Sequence, residues 1–114
     1  MNEGDVILAS LPQADGQAKN RPAVALRELP PYGDMLVCGV STQVHQLVSG
    51  FDEWLGKSDA DFTASGLLAD SIIRLGFLAV LPRQSILGSI GTISPERHRR
   101  LLHRLSAYLV EKVK

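Results

Sequence analysis

A chain of 114 residues with 45% hydrophobic content is long enough to bury about two thirds of its unfolded surface, which suits one globular domain over residues 1–114. Lys and Arg number 12 and so do Asp and Glu, so the net charge of +0 excludes strong non-specific attraction to polyanions by the whole molecule. Aromatics are only 5%, too few for an extended base-stacking platform, and one cysteine excludes both an internal disulfide and a multi-thiolate metal site.

The N-terminal "MNEGDVIL" has neither the basic region nor the apolar run of a signal peptide, and no apolar run reaches the length of a membrane span, so a cytoplasmic protein is expected. "GDVILASLP" predicts a first strand that stops at Pro12, and "QADGQAKN" a polar loop around Asp15-Gly16. "RPAVALREL" predicts a second strand, with Pro22 near its start where a missing N–H is tolerated. After the loop "PPYGD", "MLVCGVSTQ" predicts a third strand, with Cys38 a small buried hydrophobe. Residues 44 to 65 show no clear period and read as a long excursion holding one short strand or helical turn. "LLADSIIRLGFLAVLP" predicts two strands joined by a turn near Leu75-Gly76, and "ILGSIGTI" a bent closing strand. "SPERHRRLLHRLSAYLVEKVK" then changes period. Ser94 is an N-cap, Pro95 takes the first helical position, and Leu101, Leu102, Leu105, Tyr108, Leu109 and Val113 recur at helical spacing. Short strands followed by one terminal helix predict a small, strongly bent β-barrel with the helix packed against it.

Strand parity singles out Arg21. Val24 and Leu26 share a face with Pro22, while Arg21, Ala23, Ala25 and Arg27 take the other. In the third strand Leu36, Cys38 and Val40 form the apolar set, leaving Val37, Gly39 and Ser41 opposite. Antiparallel pairing through "ELPPYGD" brings Arg21 and Ser41 to one end of the hairpin, on its outward face, over a floor of Ala23, Ala25 and Gly39. A guanidinium forks onto two phosphate oxygens and a hydroxyl donates to a third, so the pair suits a phosphate. The same small-residue floor suits a packing surface for another subunit, and both readings can hold. Arg21 also has the plainer reading of a solvated loop-end charge.

"GDVILASLPQADGQAKNRPAVAL" followed by "CGVSTQ" resembles the PemK/MazF family of toxin endoribonucleases, and "DFTASGLLADSIIRLGFLAVLPRQSILGSIGTISPE" is similar to its PemK-like branch. The resemblance runs from Gly4 into the C-terminal helix. It implies a mainly β (α+β) fold, a small SH3-like β-barrel with a C-terminal α-helix. It further implies a type II toxin–antitoxin toxin: a homodimeric mRNA interferase that cleaves single-stranded RNA without metal or other cofactor and binds a cognate antitoxin. Carried over, the catalytic arginine falls on Arg21 and the catalytic hydroxyl, a threonine in the family, on Ser41. Thr42 and Gln43 complete the motif as substrate contacts.

Lys19 and Asn20 flank Arg21 and read either as phosphate contacts or as solvated residues. His45 reads as a further substrate contact or a plain loop histidine. The basic stretch "RHRRLLHR" reads as a solvated helix face or an interaction strip, and Arg74 as an edge residue or a paired interior charge. Trp54 and Phe51 are stacking candidates or loop anchors; Asp59 and Asp61 read as solvated. The rival reading of the whole chain is a barrel with lapsed catalysis that holds RNA or a protein partner through the Arg21 face. A gyrase poison on the same barrel ranks behind it, since "VEKVK" lacks an aromatic tail.

Overall fold

The computed structural model describes residues 1–111; Val113, expected on the helical stripe, lies outside them. The strands are β1 (Asp5–Pro12), β2 (Ala18–Leu29), β3 (Asp34–Ser41), β4 (Glu53–Leu55), β5 (Ser71–Leu81) and β6 (Ile86–Thr92). The helices are the single turn α1 (Phe62–Ser65) and the terminal α2 (Pro95–Leu109), with 3-10 turns at Val44–Gln46 and Arg83–Ser85. All strands pair antiparallel in one sheet of order β4-β5-β3-β2-β1-β6. Among the described residues, no helix is long and apolar enough to cross a membrane.

Two apolar clusters form, one on each face of the sheet. Val24, Leu26, Cys38 and Val40 meet Ile73, Leu75 and the α2 residues Leu101 and Leu105, following the parity read from the sequence. Each such fully buried side chain contributes about 1.5–3 kcal/mol. Burial pushes the Cys38 thiol up to about 12, so it stays protonated and behaves as the expected hydrophobe. The opposite face differs from the flat, outward floor expected for it. Ala23, Ala25 and Val37 are buried in a second cluster with Ile7, Ala9 and Met35. No helix residue belongs to that cluster, so its dryness comes from curling of the sheet, which draws Phe77 and Leu81 of β5 and Ile86 of β6 over the small floor.

Register shifts in three ladders accompany this curvature. The one in β2 falls between Ala25 and Arg27, so Arg27 pairs with Leu36 instead of continuing on the face of Arg21. The one in β5 is larger: Cys38 pairs with Leu78, but Gly39 pairs with Arg74. Residues 71 to 81 are therefore one strand with a bulge of Leu75, Gly76 and Phe77, and the turn signal at Leu75-Gly76 marks that bulge. The excursion over residues 44 to 65 holds both β4 and α1. No ladder joins β4 to β6 among the described residues, so the expected barrel is left open there, and α1 and Gly66 pack against β6 across the gap. Glycine is required on both sides of this contact. Gly66 has φ 75°, its Cβ would strike the Ile90 carbonyl, and a Cβ at Gly91 would strike the carbonyls of Ala64 and Ser65.

Helix α2 is capped as read, with the Ser94 hydroxyl accepting from the Arg97 N–H at 3.1 Å. Tyr108 and Leu109 are exposed, Tyr108 touching Phe51 with ring centroids 5.0 Å apart. The basic face is not simply solvated. Arg97, only 6% exposed, forks onto Asp61 at 2.8 and 3.1 Å and donates to Glu53 at 2.8 Å. Its Nη1 also donates to the Trp54 carbonyl on the β4 edge at 2.9 Å. Arg100 bonds Glu53 at 2.6 Å, and Arg104 lies 3.5 Å from the same carboxylate. Asp61 is thus a structural partner, and it also accepts from the Ser94 N–H at 3.0 Å.

Removing Arg97 leaves the half-buried Asp61 without its charge partner and strips buried Glu53 of one of its arginines, Arg100 and Arg104 remaining. Arg97→Ala is expected to cost about 3–5 kcal/mol of unfolding free energy, measured by urea denaturation. Burial raises the Asp61 pKa, but the Arg97 hydrogen bonds, the Ser94 N–H and the Arg97 charge outweigh it and hold the carboxyl at about 2, against an ordinary 3.8. Its stabilisation is therefore complete above its ordinary value and is lost as pH falls through that value toward 2. Across that window the native protein should lose more stability than Asp61→Asn does.

Candidate active site

The β2–β3 ladder sets Ala23 opposite Gly39; extended two residues toward the strand ends, it sets Arg21 opposite Ser41. Both residues point to the face of the second apolar cluster, at the rim where its small floor gives out. Arg21 is exposed, and its guanidinium has no hydrogen bond or ion pair among the described residues. The Ser41 Oγ accepts from the Gln43 N–H at 3.0 Å, which closes a tight turn after β3. That bond occupies a lone pair and leaves the hydroxyl proton available to a bound anion.

Arg21 and Ser41 lie where two hollows meet, with Thr42 bordering both. One hollow, of about 220 Å³, is polar and is lined further by Gln13, Gln43, Gln46, Arg74 and Phe77. The other, of about 260 Å³, is apolar, lined by Leu8, Leu67, Leu68 and Ile90, with Leu68 93% exposed. A hydroxyl and a cation at the joint of a groove open on both sides fit a phosphate inside a longer chain. A small anion would need only one hollow.

Of the residues singled out in the sequence, Arg21, Ser41, Thr42 and Gln43 are brought together here. Lys19 and Asn20 are exposed on β2 opposite Leu11 and Ser10, and His45 is exposed on its 3-10 turn; none of these three lines either hollow. Phe51 and Trp54 stand away from it as well. Among the described residues no group of three or more potential metal ligands gathers.

Arg74, Phe77 and Gln46 join the groove without having been expected there. The β5 bulge is responsible for the first two. It places Arg74 opposite Gly39 and turns the Phe77 ring onto it, 3.3 Å from where a Gly39 side chain would begin. Arg74 is half-buried with no ion-pair or hydrogen-bond partner among the described residues, so it is neither of the two things its sequence context suggested. The usable signal was the Gly76 that interrupts an otherwise continuous apolar strand. Buried Asp52 holds the bulge: Oδ1 accepts from the Leu75 N–H at 3.2 Å and Oδ2 from the Val48 N–H at 3.0 Å.

These features define a curled antiparallel β-sheet, packed on one face by a terminal helix, with an open cationic groove on one rim. A family model described as PemK-like, MazF-like toxin of type II toxin–antitoxin system matches residues 2–109. Among solved structures the chain is similar in fold to the Mycobacterium tuberculosis toxin MazF-mt6, with a TM-score of 0.68 at 20% identity, covering 95% of this chain and 99% of that one. Comparison with curated proteins returns no match. The chain belongs to the PemK-like, MazF-like family of type II toxins, and membership implies an antitoxin partner.

Asp52→Ala removes two buried charge-assisted acceptors and should cost about 3–6 kcal/mol at roughly 1.5–3 kcal/mol each. Urea denaturation measures the loss, and hydrogen exchange at Leu75 should accelerate ahead of exchange in the rest of β5.

Proposed function

We propose that this toxin is a metal-independent endoribonuclease that cleaves single-stranded RNA. The observation that carries the reading is the unpaired Arg21 guanidinium set across the strand pair from the Ser41 hydroxyl at the joint of an open groove. In the reaction the ribose 2′-oxygen bonds to its own 3′ phosphorus while the P–O5′ bond breaks. The 2′-OH gives up a proton, O5′ takes one, and the products are a 2′,3′-cyclic phosphate and a 5′-OH. Negative charge builds on the non-bridging oxygens, where Arg21 and the Ser41 hydroxyl stabilise the transition state more than the ground state. Arg21 stays charged throughout and works electrostatically. Arg74 supplies a second cation on the polar side, suited to holding the same phosphate or its neighbour.

This reading places the protein in the cytoplasm with its RNA substrate and its antitoxin. It also carries a homodimer, which pools two cationic grooves in a chain whose own net charge is zero. Sedimentation velocity tests that assembly.

Among the described residues, neither hollow is lined by a histidine or a carboxylate. The pH–rate profile should therefore lack the inflection near pH ~6.5 that a catalytic histidine leaves. The main test incubates the protein with a long single-stranded RNA in EDTA and sequences the ends. Cleavage with cyclic phosphate ends, abolished by a 2′-deoxy nucleotide at the cut, is expected. Arg21→Ala should abolish cutting, and Ser41→Ala should lower kcat about 10²–10³-fold, the usual loss for one transition-state hydrogen-bond donor. RNA binding without cutting by the native protein would instead establish a binding module, and full activity in folded Arg21→Ala would end the mechanism.

A further inference from the structure

The polar hollow holds more than phosphate chemistry requires. Beyond Arg21, Ser41 and Arg74 it contains an aromatic ring and two carboxamides with no side-chain partner among the described residues, those of Gln43 and Gln46. Their pairing is built into the backbone. Gln43 is the N-cap of the 3-10 turn Val44–Gln46, and the Gln46 N–H donates to the Gln43 carbonyl at 2.9 Å. In a 3-10 turn, residues three apart eclipse one another, so the two side chains project side by side into the hollow while His45 does not line it. Gln13, just past the end of β1, donates its Nε2 to the Leu11 carbonyl at 3.1 Å. The Phe77 ring, seated over Gly39 where any side chain would crowd it, supplies a flat apolar wall.

A ring wall beside two exposed amides is the chemistry of single-stranded base recognition: stacking on an aromatic face, with hydrogen bonds along the base edge. Each carboxamide presents a donor next to an acceptor, the complement of the adenine N6/N7 edge. Two carboxamides side by side suit adenine further, because its exocyclic amine is flanked by a ring-nitrogen acceptor on either side. We propose that the hollow between Phe77 and the Gln43–Gln46 pair is a nucleobase pocket that reads an adenine adjoining the phosphate held by Arg21 and Ser41. Phe77 is the stacking platform, and Gln46 is a specificity-determining residue.

The proposal rests on the RNA reading of the groove but is tested without cleavage. Short 2′-O-methyl oligouridylates cannot be cut, and they are prepared with one central adenine, one 7-deazaadenine, or neither. Fluorescence anisotropy should show the adenine oligomer binding about 10-fold tighter than the 7-deaza oligomer, which lacks only the N7 acceptor. In Gln46→Ala that difference should vanish, with the thermal melt unchanged because Gln46 is exposed. Phe77→Leu should weaken all three oligomers together. Equal affinity for adenine and 7-deazaadenine, or an undiminished difference in Gln46→Ala, overturns the base pocket. Failure of the native protein to cut natural RNA overturns the proposed reaction and leaves this comparison standing on its own.

Discussion

The pairing of Ala23 with Gly39 is the constraint on which the groove depends. Side chains alternate faces along a strand, so a slip of one residue between β2 and β3 would put Arg21 and Ser41 on opposite sides of the sheet. The apolar alternation guards against that slip. Val24 and Cys38 must face α2 while Ala23 and Val37 face the second cluster, and any other register would expose one core or the other. The stability of two dry faces is what holds a cation and a hydroxyl opposite one another at the rim.

Arginine serves two opposite purposes in this fold. Arg97 is buried and bonded to acceptors from two segments, so it staples α2 to the β4 edge and to the turn before α1. Arg21 and Arg74 stand on the groove with no acidic partner among the described residues. A net charge of zero hides this division, because Glu53 and Asp61 are taken up by Arg97 and Arg100 of the helix while Arg21 and Arg74 are not paired among the described residues. Arg21 and Arg74 therefore give this rim more positive character than the overall balance suggests.

The bulge in β5 links stability to the groove. Leu75 leaves the ladder and gives its N–H to Asp52 instead, and that exchange brings Arg74 and Phe77 to the Gly39 end. Asp52 touches nothing in the groove, yet the shape of the polar hollow follows from it. The apolar hollow on the other side is framed by the segment after α1, which the Arg97–Asp61 fork holds in place. Both halves of the groove are thus supported by carboxylates on the long connection between β3 and β5, Asp52 buried and Asp61 half-buried.

The amino-acid order by itself determined the local events: the apolar runs of β1, β2, β3 and β6, the Ser94 cap, and the parity of β2 and β3 that puts Arg21 and Ser41 on one face. Each depends on residues close in sequence or on a period of two, and both survive without knowledge of the surroundings. Only the tertiary structure decided that the Ala23–Ala25 floor is covered, that Arg27 leaves the face of Arg21, and that Arg74, Phe77 and Gln46 reach the groove while Lys19, Asn20 and His45 stand outside it. It also decided that Asp61 and the buried Arg97 are partners although 36 positions separate them. Curling, bulging and long-range ion pairing come from how the whole sheet packs, so no short window of sequence contains them.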